Sequence, residues 1–425
     1  MTDFSDNSGE GTDGMGGDGL TGQVTVIPLH EPRDGVPDVV ADDAALARAC
    51  ERIAEGTGAI AVDTERASGY RYWPKAYLIQ IRRDGAGTHL IDPTALDDGG
   101  LAPLAEILND APWVLHAASQ DLPCLAELDL YPAALFDTEL AARLAGYHRV
   151  ALGTMVEQLL GYQLEKGHSA ADWSTRPLPA AWLNYAALDV ELLLPLRDRL
   201  HDDLEQQGKL GWAEQEFEAV RTAPAPEPKA EPWRRTSGIH KIRTPRALAT
   251  VRALWQARDQ LARKRDRAPG RVLPDSAIIA AASADPRTVE QLRALPVFGG
   301  KMQRRLSSMW LRHIQAARSL PKEELPSAAQ NNGGPPPTNR WADRDPDAAA
   351  RLAAARTALT ELAERLQLPV ENLLLPDLVR RLCWEPPDDV SPDAIAAELA
   401  VRGARPWQVE QTAGLLSEAL RSRAG

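Results

Sequence analysis

The stretch AIAVDTE at residues 59–65 constrains this chain more than any other. Four apolar residues in succession, Ile60 and Val62 among them, predict a short buried strand. The strand ends in two carboxylates, Asp63 and Glu65, separated by one threonine. Alternate side chains on a strand share a face, so both acids project to the same side of the sheet. Like charges held that close repel, and burying them is costly unless positive charge compensates, most often a divalent cation. Taken alone, a D-x-E fits a solvated turn more readily than a cation site, so the rest of the chain decides.

A length of 425 residues implies two or three domains. No apolar run has the length needed to span a bilayer, and the N-terminus lacks the basic-then-apolar pattern of a secretion signal. Cys50, Cys124 and Cys383 are sparse, odd in number and without ligand-like spacing. Buried thiols in a reducing cytoplasm are expected, not a disulfide frame or a zinc site. The net charge of −12 argues against a nucleic-acid partner only until its distribution is read. Residues 1–45 hold ten acids and one base, whereas residues 234–271 hold twelve Lys or Arg against two acids. Local sign governs phosphate binding more than the total does.

Residues 1–40, rich in Gly, Asp and Ser, are expected to be a disordered acidic tail. Residues 41–222 form a first domain: a helix through Leu46 and Ile53, then AIAVDTE, YLIQI (77–81), THLI (88–91) and WVLHA (113–117) as strands. Helices follow from Leu135 onward, the longest over 178–207 with a bend at Pro195. This order predicts a mixed sheet with helices packed on it. A proline-spaced linker (223–236) leads to an all-helical module over 237–320, where Thr244-Pro245 caps a helix with apolar Leu248, Val251 and Leu254. A second loose stretch (321–340) precedes a last helical module over 341–425. There Ser391-Pro392 and Pro406 mark helix starts and Gly403 a stop.

Two further acids can be tied to the first pair. Asp121 follows the strand WVLHA at the start of a helix, on the carboxyl side of the sheet where sites gather. By itself it reads equally as a helix N-terminal acid. Asp189 lies in NYAALDVELL with Tyr185 one turn before it, so phenol and carboxylate share a helix face; Tyr185 alone also fits a packing role.

Together, D-T-E on a strand, H-A-A-S-Q-D after a later strand and Y-x-x-x-D on a helix resemble the DEDD superfamily of 3′-to-5′ exonucleases, in its tyrosine-bearing branch. The segment DWSTRPL (172–178) resembles the one preceding the third motif in the ribonuclease D family, and the basic helical module resembles the HRDC domain. The last module looks like the second HRDC-like domain of that family. The resemblance implies an α/β ribonuclease H-like exonuclease domain followed by two all-α HRDC-like domains. It implies that Asp63, Glu65, Asp121 and Asp189 hold two divalent ions, Mg²⁺ or Mn²⁺, while Tyr185 orients the attacking water. Phosphodiester hydrolysis needs such a site, because two ions roughly 3.5–4 Å apart stabilise both attacking and leaving oxygens. Hard cations prefer oxygen ligands. A phenol with an ordinary pKa near 10 is a poor general base, which favours positioning for Tyr185.

Weaker candidates surround these five. His116 fits a group supporting the metal ligands or a satisfied core histidine, and Lys166 and Arg176 fit phosphate contacts or surface charge. Arg66 departs from the apolar or aromatic residue common after D-T-E in the family. Tyr70, Tyr72 and Trp73 offer stacking surfaces for bases, or core packing. In the basic module Arg246, Arg252, Arg263, Lys264, Arg265, Arg267, Arg304 and Arg305 are expected phosphate contacts. The implied activity is removal of nucleoside 5′-monophosphates from single-stranded RNA 3′ ends, tRNA precursors among them, by a cytoplasmic monomer. A DNA-directed 3′-to-5′ exonuclease and a non-catalytic RNA-binding scaffold are the alternatives.

Overall fold

The computed structural model describes residues 26–422, apart from 98, 166, 169, 226, 228 and 328–333. Its first part is built on eight strands: β1 (Ile27–Leu29), β2 (Val39–Val40), β3 (Thr57–Arg66), β4 (Ala76–Asp84), β5 (Gly87–Ile91), β6 (Pro112–Leu115), β7 (Ala134–Asp137) and β8 (Tyr162–Leu164). Six of them form one sheet in the order β2-β5-β4-β3-β6-β7, in which β4 runs antiparallel to both β3 and β5 and the other pairs are parallel. The β4–β5 hairpin turns through Gly85 and Gly87, both at positive φ, where glycine carries no steric cost. Ile60 and Val62 point into one apolar layer and Ala61 into another, the alternation that a strand buried on both faces requires.

The helices of this part are α1 (Asp43–Glu55), α2 (Ala102–Leu108), α3 (Leu122–Ala126), α4 (Thr138–Leu144), α5 (Leu152–Leu160), α6 (Ala180–Glu191), α7 (Leu193–Gln206) and α8 (Leu210–Arg221). Where one long bent helix over 178–207 was expected, the chain breaks into α6 and α7 at Leu192, three residues before Pro195. Proline has no N–H for the carbonyl one turn back, so it is accommodated only in the first turn of a new helix. Two strands also appear in the region expected to be helical. β7 and β8 are only four and three residues long, too short for a period to show.

The N-terminal expectation is corrected in part. Residues 1–25 lie outside the described residues, but β1 pairs with β8 and β2 with β5. Short edge strands need few apolar residues of their own, because the partner supplies the ladder. The linker reading is corrected likewise at its ends. Trp233 is buried in the core of the helical module, and the Trp341 indole, also buried, donates to the Pro336 carbonyl at 2.8 Å. Trp233 therefore anchors the end of the first linker, and Trp341, the first residue of the last module, holds the end of the second.

The middle module contains α9 (Pro245–Lys264), α10 (Pro269–Val272), α11 (Asp275–Ala284), α12 (Val289–Arg293) and α13 (Lys301–Arg318). Thr244 caps α9 by accepting from Ala247 N–H, and Leu248, Val251 and Leu254 face the core. The last module, with helices Pro346–Arg365, Pro376–Trp384, Pro392–Val401 and Pro406–Leu420, docks on α8. Trp212 and Trp407 stack at 4.8 Å, and Glu216 accepts from the Trp407 indole at 3.0 Å. Buried Lys209 donates to the Leu144 carbonyl, and Gly146 lies so close to Gln367 that a β-carbon there would sit 2.5 Å from its carbonyl oxygen. No helix among the described residues is long and apolar enough to cross a membrane.

Candidate active site

β3 carries Asp63 and Glu65 on one face and Thr64 and Arg66 on the other, with Asp63 opposite Gln80 and Glu65 opposite Leu78 on β4. α6 lies across the acid-bearing face, its Ala186 and Ala187 packed with Leu78 and Leu90. The small alanines let the helix approach closely, and Tyr185 and Asp189 then reach the same point as the strand acids. Carboxylate oxygens of Asp63, Glu65 and Asp189 all lie within 4.8 Å of one another.

Asp121 comes from the turn after β6. There Ala117 takes a left-handed φ of 61°, and the Asp137 carboxylate accepts from Ala117 N–H at 3.0 Å and Ala118 N–H at 2.8 Å. Asp137 also caps α4 through the Glu139 and Leu140 amides. It is the residue that sequence reasoning missed; its only signal was an acid at a strand-to-helix junction. Asp121 itself accepts from the Thr64 hydroxyl at 2.8 Å, and Arg66 reaches it at 3.4 Å. Asp121 thus lines the same cleft, of about 300 Å³, from the other side of β3.

The electrostatics follow from crowding. Burial, then Asp121 and Asp189, drives the Asp63 carboxyl well above the usual range. Burial, then Asp63, Asp189 and Asp121, push Glu65 up to about 10. Asp189 rises to about 7 through burial, against the lowering effect of the Tyr185 hydroxyl. Asp121 rises to about 6 through burial, with Arg66 and Thr64 opposing. Four carboxylates sharing one cleft cannot all ionise without added positive charge. An all-oxygen donor set of this kind suits a hard divalent cation. Burial and the adjacent acids also raise the Tyr185 phenol, which therefore stays protonated and donates.

His116 stands on the cleft wall with Nδ1 2.9 Å from the Thr138 hydroxyl, and burial lowers it to about 4, so it is neutral. Arg176 is not at the acids. It grips Asp92 at 2.6 and 2.7 Å and donates to the Tyr77 and Trp173 carbonyls. Lys166 lies outside the described residues.

The basic residues divide into two groups. Arg246 donates to the Leu320 carbonyl and Arg252 to that of Glu324. Arg263 lies over Tyr72 and Trp73, and Arg271 covers Tyr70 at 3.9 Å. Tyr72 in turn donates to Asp259, so this aromatic loop after β3 is a docking surface for the middle module, although Trp73 stays 42% exposed. Lys264, Arg265, Arg267, Arg304 and Arg305 are exposed, as Arg263 is, but cover none of these rings, and Arg265 and Arg305 flank a cleft of about 420 Å³ with Lys301 and Met302.

The comparisons with known proteins cover the whole arrangement. A 3′-5′ exonuclease family model matches residues 37–205, an HRDC domain model 247–314, and a model described as a 3′ to 5′ exonuclease C-terminal domain 334–420. Ribonuclease D of Gluconacetobacter diazotrophicus is 33% identical over 346 residues, spanning 78% of this chain and 82% of that protein. Ribonuclease D of Escherichia coli is 32% identical over 301 residues, spanning 69% and 77%. Among solved structures, a protein from Bifidobacterium adolescentis is 39% identical with a TM-score of 0.85, covering 93% of this chain and all of that one. The E. coli RNase D structure, described as an exoribonuclease involved in structured RNA processing, is 28% identical with a TM-score of 0.66, covering 90% and 98%. With its acid cleft, helical modules and relatives agreeing along most of its length, the chain belongs to the ribonuclease D family.

Proposed function

We propose that this protein is a metal-dependent exoribonuclease that removes nucleoside 5′-monophosphates one at a time from RNA 3′ ends. The observation that carries the proposal is the meeting of Asp63, Glu65 and Asp189 oxygens within 4.8 Å, with Asp121 alongside in the same cleft. The finer reading is that Asp63, Glu65, Asp121 and Asp189 together hold two ions, Mg²⁺ or Mn²⁺. Bound there, the ions supply charge stabilisation for the attacking and leaving oxygens of the phosphodiester. Tyr185, a protonated donor beside Asp189, orients the attacking water and takes no proton from it. His116, neutral and tied to Thr138, braces the cleft wall.

In this reading Lys264, Arg265, Arg267, Arg304 and Arg305 follow the RNA backbone, a role their exposure and positive charge support. Arg246, Arg252 and Arg263 are committed to carbonyls or aromatic rings and act on RNA only through the fold they hold. The substrates in view are single-stranded 3′ extensions of structured RNA such as tRNA precursors, met by a cytoplasmic monomer.

The test is turnover of a 3′-tailed RNA with Mn²⁺. Stepwise release of 5′-monophosphates is expected from the wild type. Asp63→Asn should lose activity by at least roughly 10²-fold, as when one preorganised electrostatic group is removed, while RNA affinity in EDTA is unchanged. Undiminished turnover in that variant sinks the assignment.

A further inference from the structure

Arg66 closes β3, and its side chain leaves the strand on the face opposite Asp63 and Glu65. One guanidinium nitrogen donates to the Gln120 carbonyl, and another lies 3.4 Å from Asp121 Oδ1, the oxygen that Thr64 already occupies at 2.8 Å. Among the described residues lining the acid cleft, Arg66 is the one arginine. It also lines a second cleft, of about 320 Å³, with Ser68, Gly69, Ala170 and Ala171. The guanidinium therefore stands in the shared wall between the four acids and an adjoining open space.

Its contact with Asp121 is looser than the two-pronged Arg176–Asp92 pair. Arg176 meets Asp92 through two short bonds and adds carbonyl partners. Arg66 meets only one Asp121 oxygen, through one longer contact, and has a single carbonyl partner, Gln120. A loose pair with a flexible stem is easily exchanged. A divalent cation at Asp121 turns the local attraction for Arg66 into repulsion, while an RNA phosphate entering the adjoining cleft offers two non-bridging oxygens that a planar guanidinium can hold bidentately.

We infer that Arg66 is an exchangeable counter-cation: it neutralises Asp121 in the metal-free protein and contacts an RNA phosphate in the adjoining cleft once metal occupies the acids. This rests on the nuclease reading above. It assigns a substrate contact to the residue directly after the Asp-Thr-Glu triplet, and it makes metal and RNA bind cooperatively.

The experiment uses the full chain, stripped of metal, as wild type, Arg66→Met and Arg66→Lys. Mn²⁺ binding is followed by calorimetry without RNA. RNA binding is followed by fluorescence anisotropy, in EDTA and in Mn²⁺, on an oligonucleotide whose 3′-terminal linkage is a non-cleavable phosphonate. Arg66→Met should bind Mn²⁺ up to roughly fivefold tighter, the scale of a partly exposed ion pair removed from competition. Its RNA affinity should fall about tenfold in Mn²⁺, as for a lost charge-assisted bond, and change little in EDTA. Arg66→Lys should keep wild-type Mn²⁺ affinity and recover part of the RNA affinity. Unchanged or weaker Mn²⁺ binding in Arg66→Met overturns the inference, as does an equal RNA loss with and without metal, or a lysine variant that behaves like the methionine one. Failure of the wild type itself to bind Mn²⁺ would instead bring down the nuclease reading and this inference with it.

Discussion

The tripeptide Asp-Thr-Glu occurs twice in this chain, at 63–65 and at 137–139, with opposite outcomes. Both begin at or near the carboxyl end of a strand in the same sheet. In the second copy the strand ends at the aspartate, and the backbone turns straight into α4. Asp137 then accepts from four backbone amides, two in the turn that carries Asp121 and two in its own helix. Thr138 donates to the Leu115 carbonyl, and Glu139 pairs with Arg143 one turn on. Every polar group is absorbed by structure.

In the first copy the strand continues through the triplet, so Asp63 and Glu65 stay on one face with no helix start to satisfy them. What faces them is Asp189. The difference teaches that the triplet makes a site only where the fold withholds a partner. The second copy serves the first, since Asp137 holds the turn that presents Asp121 to the cleft.

Three substitutions break or sharpen this contrast. The largest effect is expected at Asp137→Ala, which orphans buried amides and removes a helix cap; a stability loss of roughly 2–4 kcal/mol should appear in urea denaturation. Loss of less than about 1 kcal/mol would mean that water replaces the carboxylate there.

Asp63→Asn should do the reverse and stabilise the metal-free protein by about 1–3 kcal/mol at pH 8, since it relieves crowded charge. The sign depends on pH. The folded-state values of Asp63, Asp121 and Asp189 are raised, so their contribution is fully present below the ordinary carboxylate range. It is lost as pH climbs through about 6 and 7, where Asp121 and Asp189 titrate. Melting temperatures of the metal-free wild type should therefore decline between pH 5 and 8, with the variant declining less and saturating Mn²⁺ abolishing the decline. A wild-type stability that rises over that interval would contradict the crowded-acid picture.

The smallest effect belongs to Glu139→Gln, which breaks only a partly exposed i,i+4 pair and should cost about 0.3–0.5 kcal/mol. A cost beyond 1 kcal/mol would show that the second triplet is supported by more than its aspartate.

Much of the fold was legible because it rests on local pattern. The strands β3 to β6, the cap at Thr244-Pro245 and the start at Ser391 all follow from apolar runs and capping chemistry. β1, β7 and β8 escaped because a strand of three or four residues has no period, and its existence depends on a neighbour's edge. The basic run of the middle module was equally plain, but composition does not say which arginine meets a carbonyl. Arg246 and Arg263 are spent on the fold while Arg265 and Arg305 are not, a distinction made by residues more than fifty positions away such as Leu320 and Tyr72.

By itself the sequence determined what covalent spacing determines: two acids on one strand face, and a phenol and an acid on one helix face. Those follow from periods of two and of one helical turn, whatever the rest of the chain does. Only the tertiary structure decided that α6 would cross β3 at the acids, that Asp137 would turn Asp121 toward them, and that Arg66, the one arginine among the described residues lining the cleft, would stand beside them. The physical reason is that neutralisation of a buried charge is a long-range event. It depends on which chain segments close on one another, and spacing along the sequence carries no record of that.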